Sequence, residues 1–165
     1  MLAYSGKGLF LIRRLDVNKL VEELNELLQL SISKNVTLQL QLAAGLPSVL
    51  ADATQLQQIL MNLMLNAIDA MKDADGVREL DIKSRRTEND HVLVCVSDSG
   101  LGLPPQQADQ IFNAFFTTKP HGTGMGLSIS RSIVESHGGR LWAANNSPRG
   151  ASFSFTLPSS AEAKE

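Results

Sequence analysis

The hydrophobic positions of the chain repeat with two different periods, and these periods divide it into strands and helices. Apolar and polar residues alternate over Val36–Leu42 and again over residues 152–157, which predicts two half-buried strands. Residues 92–96 form a continuous apolar run, which predicts a strand in the core. Apolar residues spaced three and four apart predict a helix that begins at an Asp16 N-cap and runs to about Ser33.

Glycine, proline and small polar residues separate these segments from further predicted elements. A second helix, whose nearly all-apolar part is residues 59–71, is predicted to start near Asp52 or Thr54 and to stop before Asp75 and Gly76, and a third helix is predicted over residues 127–137. Residues 104–122 form a long irregular stretch, which predicts a mobile lid. The predicted fold class is α/β (α+β), a two-layer sandwich in which three long helices cover a mixed, mainly antiparallel sheet. The remaining strands of this sheet are predicted at residues 9–14, 49–51, 79–86 and 140–144, and the core strand that contains residues 92–96 is predicted to extend over residues 91–97.

The composition is that of one ordinary globular domain. The chain has 165 residues, 43% of them hydrophobic, which is enough to build a core. The net charge of −2 gives no reason to expect a nucleic-acid partner, and no apolar run is long enough to span a bilayer. Cys95 is the single cysteine and cannot form an internal disulfide, which suits a reducing cytoplasm.

One carboxylate stands where a core strand delivers its side chains into a pocket. Asp98 follows the apolar run and precedes Ser99, Gly100, Leu101 and Gly102. Because a carboxylate only accepts hydrogen bonds, a ligand held there should present an N–H donor, such as the exocyclic amine of adenine. The glycines let the backbone pass close to a flat ring. An Asp-Ser-Gly sequence after a strand is, however, more often a plain turn.

A second group of glycines precedes the third helix. Gly122, Gly124 and Gly126 lead into residues 127–137, and the free N–H groups at such a helix start form a phosphate site. The better-known phosphate motifs are absent, because there is no Gly-Lys-Ser/Thr ending and Leu127 stands where a dinucleotide fingerprint has glycine. Glycine-rich helix starts are also common on their own. A base site and a phosphate site together favour a nucleotide, bound by some other architecture.

The second helix carries a polar stripe on an otherwise apolar surface. Asn62 and Asn66 are four residues apart and Asp69 is three further on, so they share one helical face, which Gln58 extends upstream. A solvated face is the simplest interpretation. Asparagine and aspartate are poor helix formers for such a face, however, and asparagine carbonyls suit Mg²⁺ bound beside substrate phosphates.

These motifs stand in an order that resembles a known family. Asn-Leu-x-x-Asn-Ala begins at Asn62, Asp-Ser-Gly-x-Gly at Asp98, Phe-x-x-Phe-Phe-Thr-Thr-Lys at Phe112, and Gly-Thr-Gly-x-Gly-Leu-Ser at Gly122. They match the N, first glycine, F and second glycine boxes of sensor histidine kinases. The chain resembles their catalytic domain, with its Bergerat-type ATP-binding fold, in the superfamily that includes gyrase-type and mismatch-repair-type ATPases. The resemblance extends over residues 9–157.

The resemblance implies a role for each matching residue. Asn66 would bind Mg²⁺ and Asp98 adenine, and Asn62, Asn66 and Lys119 would form the catalytic group. Asp69 stands where many of these kinases have a lysine, so that phosphate contact is absent or comes from Lys119. Ala151 stands where threonine is common, which puts a hydroxyl beside the adenine in doubt. The implied nucleotide contacts are Asn66, Asp69, Asp98, Gly100, Gly102, Phe112, Phe115, Thr118, Lys119, Gly122, Thr123, Gly124, Met125, Gly126 and Leu127.

The implied activity is that of a protein histidine kinase. The chain would bind ATP with Mg²⁺ and transfer the γ-phosphoryl group to a histidine on a separate dimerisation domain. One alternative is an ATP-hydrolysing clamp of the gyrase or mismatch-repair type, whose members carry glutamate at the position of Asn62. An amide cannot act as a general base towards water, which favours the kinase. The other alternative, a nucleotide-binding module that signals without catalysis, conflicts with the intact motif residues.

The phosphoacceptor histidine is expected outside this chain. His91, His121 and His137 all follow the N box, and none precedes an acidic residue as the acceptor histidine of the family does. The implied partners are the histidine-bearing dimerisation domain of the same parent protein and a downstream response regulator. The parent would be a homodimer in the cytoplasm, with or without a membrane anchor, and this chain a monomer. Residues 1–8 resemble the linker after that dimerisation domain, residues 9–158 the catalytic domain, and residues 159–165 a tail.

Overall fold

Eleven helices and strands make up the described part of the chain, and each predicted helix and strand has a counterpart among them. The structure, a computed structural model, describes residues 2–4, 9–30, 36–71, 78–100, 126–146 and 150–159. The first helix begins after Asp16 as predicted but ends before Ser33. In chain order the elements are β1 (Leu2–Tyr4), β2 (Leu9–Leu15), α1 (Val17–Gln29), β3 (Val36–Leu42), β4 (Val49–Asp52), α2 (Ala53–Met71), β5 (Arg78–Arg86), β6 (His91–Asp98), α3 (Gly126–Ser136), β7 (Arg140–Asn145) and β8 (Ala151–Pro158).

The described strands form two sheets, where the sequence predicted one. A five-stranded sheet has the order β3-β5-β6-β8-β7, and a three-stranded sheet has the order β1-β2-β4. In the larger sheet β3 pairs with β5 in parallel and the other pairs are antiparallel, so the predicted mixed and mainly antiparallel character is confirmed. Strand β1 was not predicted, because its three residues are too few to show a period.

The core lies between the helices and one face of the larger sheet. Val92, Val94 and Val96 of β6 are fully buried, and the register sets them opposite Leu157, Phe155 and Phe153 of β8. The 19-residue helix α2 contributes the largest helical share of this core, through Leu56, Ile59, Leu60, Leu63, Met64, Ala67 and Met71. Helices α1 and α3 have 13 and 11 residues. None of the helices in the described ranges is both long and apolar enough to cross a bilayer.

Aspartates begin the first two helices. The Asp16 carboxylate accepts a hydrogen bond from the backbone N–H of Lys19 at 3.2 Å, which confirms the predicted N-cap of α1. Asp52, at the end of β4, accepts from the N–H of Gln55 at 3.1 Å and also from the N–H of Leu11 at 2.8 Å. One buried carboxylate therefore starts α2 and fixes strand β2 beside it.

Two glycines end α3 and return the chain to the sheet. The N–H of Gly138 donates to the carbonyl of Glu135, and the N–H of Gly139 to that of Val134, both at 3.0 Å. This is the hydrogen-bond pattern of a Schellman motif, and Gly138 has the positive φ of +84° that the motif requires. The third helix thus ends in a turn at these two glycines, and the turn leads directly into β7.

His137 is part of the fold at this helix end. Its Nδ1 lies 2.8 Å from the carbonyl oxygen of Ile133, and its Nε2 accepts the backbone N–H of Asp52 at 3.4 Å. The predicted position of His137 at a helix C-terminus is confirmed. The side chain joins the end of α3 to the start of α2.

Candidate nucleotide-binding site

Asp98 is a buried carboxylate at the end of the central strand β6. Only 4% of the residue is exposed. Its Oδ1 atom accepts two backbone hydrogen bonds, from the N–H of Gly100 at 2.8 Å and from the N–H of Ala151 at 3.2 Å. The bonds from the described residues go to Oδ1, and Oδ2 receives none from them. The geometry fixes one carboxylate oxygen to the protein and leaves the other as an acceptor for a ligand.

The electrostatics of Asp98 favour a ligand that donates a hydrogen bond. Burial raises the pKa of Asp98 above its ordinary value, and the N–H groups of Gly100 and Ala151 partly oppose this effect. The ionised carboxylate is therefore only partly compensated by the described protein groups. An N–H donor from a ligand to Oδ2 would supply further compensation.

At the start of β8, a backbone group and not a side chain supports the Asp98 carboxylate. The sequence left a hydroxyl beside the adenine in doubt, because Ala151 replaces a common threonine. In the structure the N–H of Ala151 itself holds the Asp98 carboxylate. Gly150 makes this approach possible, since a Cβ atom built on it would lie 2.0 Å from the Asp98 carbonyl oxygen.

The turn after Asp98 packs against the C-terminal end of α2. A Cβ atom on Gly100 would lie 2.5 Å from the carbonyl oxygen of Ala70, so only glycine allows this approach. The Ser99 hydroxyl accepts the N–H of Glu79 at 2.9 Å and lies 3.5 Å from the sulfur of Met71. These contacts bring the Asp98 turn beside the helix that carries the polar stripe.

The polar stripe of α2 is solvated only in part. Gln58 and Asp69 are exposed, whereas Asn62 and Asn66 are half-buried. The Asn62 side-chain Nδ2 donates to the hydroxyl of Ser130 in α3 at 3.1 Å, and Ser130 is completely buried. The solvated-face interpretation therefore fails for Asn62, which lies between α2 and α3.

Helix α3 begins at the last residues of the second glycine motif. Gly126 is its first residue and Leu127, the second, is half-buried. Because α3 packs against α2, the start of α3 and the asparagines of α2 belong to one region of the molecule. His121 and the predicted lid lie outside the described part of the chain. So do the other predicted contact residues, which are Gly102, Phe112, Phe115, Thr118, Lys119, Gly122, Thr123, Gly124 and Met125.

The polar side chains of α2 suit a magnesium ion that is bound together with substrate phosphates. Asn62 and Asn66 offer neutral amide groups, and within the described ranges no three His, Cys, Asp or Glu side chains gather to hold a metal. Mg²⁺ commonly takes one or two protein oxygens and completes its shell with water and substrate phosphates. The asparagines suit this arrangement better than an all-protein cage.

Sequence reasoning missed the polar residues that surround the Asp98 backbone. The side chains of Asn146, Ser97 and Ser152 are hydrogen-bonded to one another, and Asn146 also donates to the Asp98 carbonyl oxygen. The Ser130 hydroxyl accepts a hydrogen bond from Asn62. The asparagine and serines occur in segments where such residues are ordinary turn or strand-surface residues. Only the pairing of β6 with β8 brings three of them together.

Comparison with known proteins identifies the family. The model of the family described as "Histidine kinase-, DNA gyrase B-, and HSP90-like ATPase" matches residues 51–161. This segment includes α2, β6, α3 and β8, the elements that form the candidate site. The chain belongs to this family of ATPases.

The relatives within this family are sensor histidine kinases. The chain is 46% identical over 147 residues to the sensor protein FixL of Bradyrhizobium diazoefficiens, covering 88% of this chain and 29% of FixL. The catalytic domain of the histidine kinase ThkA, in a nucleotide-free form, superposes with a TM-score of 0.81 at 35% identity, covering 91% of this chain and 97% of that domain. The chain thus corresponds to the ATPase domain of such kinases and spans less than a third of FixL.

A further solved structure contains both a kinase and its regulator. The complex of ThkA with the response regulator protein TrrA matches with a TM-score of 0.77 at 32% identity, covering 93% of this chain and 43% of that chain. In that assembly a domain of this fold belongs to a histidine kinase that binds a response regulator.

Proposed function

We propose that this chain binds ATP with Mg²⁺ and transfers the γ-phosphoryl group to a histidine on a separate dimerisation domain. The observation that carries the proposal is the buried Asp98 carboxylate, held through Oδ1 by two backbone N–H groups at the end of a core strand. Adenine presents an amine to such an acceptor, whereas guanine presents a carbonyl oxygen. The site therefore selects ATP over GTP.

The turn after Asp98 and helix α2 would form two walls of the nucleotide site. Gly100 lies against the carbonyl of Ala70, so the base at Asp98 and the asparagines of α2 would contact one ligand. The N–H groups at the start of α3 would bind the phosphates together with the preceding residues 122–125. Phe112, Phe115, Thr118 and Lys119 would complete the site from the lid, with Asp69 beside the phosphates.

Asn66 would hold the metal through its side-chain carbonyl oxygen. Mg²⁺ supplies charge neutralisation on the phosphates when it is bound. The protein's own contribution is placement: Asp98 fixes the base, the glycine-rich start of α3 fixes the phosphates, and the acceptor histidine approaches from its own domain. Phosphoryl transfer depends mostly on such positioning and charge stabilisation.

Asn62 favours transfer to histidine over hydrolysis. Its Nδ2 donates to Ser130, and an amide accepts no proton as a general base. A water nucleophile requires such a base, whereas a neutral imidazole does not. We therefore expect slow hydrolysis of ATP by this chain.

The proposed partners follow from the relatives. Sensor kinases such as FixL are much longer than this chain, so the histidine-bearing dimerisation domain would lie in the rest of the parent protein. The parent would act as a homodimer on a response regulator, as ThkA binds TrrA. Residues 9–158 would be the catalytic domain, and it would work in the cytoplasm, where ATP is available.

The replacement of Asn66 by alanine tests the metal site. Wild-type protein is expected to bind ATP more tightly with Mg²⁺ than with a chelator. In Asn66→Ala this gain should fall by about tenfold or more, because the metal loses a protein ligand. Isothermal titration calorimetry with ATP plus Mg²⁺ and with ATP plus chelator measures this gain, and a titration with ADP plus chelator measures binding without the metal.

The control for Asn66 is Asn89→Ala, the same change at an exposed turn between β5 and β6. This variant should bind all nucleotides as the wild type does. If Asn66→Ala loses Mg²⁺-free ADP binding to the same extent as ATP binding, Asn66 supports the fold and the metal assignment is wrong.

A further inference from the structure

Asn146 lies behind Asp98 and is bonded to its backbone. This residue follows β7, at the start of the connection to β8. Its side-chain Nδ2 donates to the carbonyl oxygen of Asp98 at 3.0 Å and to the hydroxyl of Ser97 at 2.8 Å. Both N–H bonds of the amide are therefore directed to the last two residues of β6.

Ser152 completes a closed group of polar side chains. Its hydroxyl bonds to the Asn146 carbonyl oxygen and lies 3.0 Å from the Ser97 hydroxyl. The three side chains are half-buried, and each satisfies the others. This arrangement gives the Asn146 amide one orientation, with its donors towards β6 and its carbonyl towards β8.

The backbone of the same residue is bonded to Gly150, which directly precedes the residue that donates to the Asp98 carboxylate. The backbone N–H of Asn146 donates to the carbonyl of Gly150 at 2.8 Å. Gly150 lies against the Asp98 carbonyl, and the next residue, Ala151, donates its N–H to Asp98 Oδ1. Asn146 thus bonds to the Asp98 backbone and to Gly150, the residue before the one that holds the Asp98 side chain.

We propose that Asn146 is the positioning residue that sets Asp98 for recognition of the 6-amino group of adenine. The inference rests on the proposed function, because it concerns the same nucleotide site. Asn146 contacts β6 and Gly150, and it acts through Asp98. The carboxylate must meet one particular donor on the ligand, and a hydrogen bond weakens steeply when its angle departs from linear.

A role of Asn146 in base recognition and a role in general stability predict different effects on nucleotide binding. A residue that only supports the fold would affect every nucleotide in the same way. A residue that positions Asp98 affects only ligands that carry the amine. Purine riboside 5′-triphosphate has hydrogen in place of the 6-amino group and otherwise matches ATP, so it reports the rest of the site.

The experiment compares ATP and purine riboside 5′-triphosphate by calorimetry in wild type, Asn146→Ala and Asn89→Ala. Asn146→Ala is expected to weaken ATP binding roughly three- to tenfold, the effect of a misplaced hydrogen bond. Binding of the analogue should stay within about a factor of two of the wild type. Asn89→Ala, with the same change at an exposed turn, should leave both affinities unchanged.

A milder variant keeps the test decisive if Asn146→Ala does not fold. Ser152→Ala removes one bond to the Asn146 amide and keeps both bonds from its Nδ2 to β6. It should weaken ATP binding about two- to threefold and leave the analogue unaffected. Circular dichroism and thermal unfolding show which variants are folded.

Three results would overturn the inference. Equal losses for ATP and the analogue would show that Asn146 supports the whole site. Unchanged ATP binding in the folded variants would show that Asp98 keeps its position without Asn146. If the wild-type chain binds neither nucleotide, the proposed function fails first and the inference fails with it.

Discussion

Replacing Asp98 by asparagine should remove most of the affinity for ATP while raising the stability of the nucleotide-free domain at neutral pH. The asparagine oxygen can still accept the N–H groups of Gly100 and Ala151, so its NH₂ group takes the place of Oδ2. Two donors then face each other at the 6-amino group of adenine. The loss of one charge-assisted hydrogen bond costs about 1.5–3 kcal/mol, or roughly ten- to a hundredfold in affinity.

The Asp98→Asn substitution should also change the preference for ATP over GTP. Wild-type protein is expected to bind ATP more tightly than GTP, because guanine presents a carbonyl oxygen to the carboxylate. In Asp98→Asn the NH₂ group can donate to that oxygen, so the preference should shrink or reverse. Calorimetry with both nucleotides measures the ratio, and equal affinities of the wild type for ATP and GTP would contradict the assignment of Asp98.

The gain in stability follows from the raised pKa of Asp98. Burial places this pKa above the ordinary value of 3.8, so the ionised form at neutral pH opposes folding. Protonation removes this opposition as the pH falls through the raised pKa. The Tm difference between Asp98→Asn and wild type should therefore be largest at neutral pH and disappear below pH 3.8.

Asp90→Asn is a control for which the expected change in Tm at neutral pH has the opposite sign. A hydrogen bond from Arg86 lowers the pKa of Asp90, so its ionised form favours folding above the ordinary aspartate value. Asp90→Asn should lower Tm at neutral pH, and the difference should vanish as the pH falls through the lowered pKa. An Asp98→Asn protein less stable than wild type at neutral pH would contradict the account of burial at this site.

Gly150→Ala should be the most destabilising of the substitutions considered. The new Cβ atom would lie 2.0 Å from the Asp98 carbonyl oxygen, and Gly150 has a φ of +102°. Backbone strain and a core overlap together cost about 3–5 kcal/mol in free energy of unfolding. Gly150 and the Ala151 N–H would also move away from Asp98, so ATP binding should fall in any protein that still folds.

Gly45→Ala is the matched control for this prediction. Gly45 also has a positive φ, +71°, but a Cβ atom there would meet nothing within 4 Å. Only the backbone strain remains, about 1 kcal/mol. Urea unfolding of both variants separates the two effects, and similar losses in both would show that Gly150 does not pack tightly against β6.

The local pattern of the sequence predicts most individual elements and little of their arrangement. The alternation in β8 and the apolar run in β6 are visible as periods, and the Asp16 cap marks the start of α1. The parallel pairing of β3 with β5 joins segments separated by α2, and no local period encodes it. The division of the strands into two sheets is a long-range property of the same kind.

The candidate site likewise contains residues that the local sequence pattern reveals and contacts that it does not. Asp98, Asn62 and Asn66 stand out because polar residues interrupt apolar segments. The Ala151 N–H and the Asn146 amide approach Asp98 only because β8 pairs with β6. A backbone donor carries no side-chain identity, so the residue type at position 151 gives no indication of the contact.

Phosphoryl transfer to a histidine on another domain is the activity proposed for this chain. Incubation of this chain with γ-labelled ATP and Mg²⁺, with and without the histidine-bearing hairpin of its parent protein, tests it most directly. Acid-labile label is expected on the added hairpin and none on this chain, together with slow release of phosphate. Transfer should be weak, because the two domains are no longer tethered. Label on His91, His121 or His137, or rapid phosphate release without transfer, would contradict it.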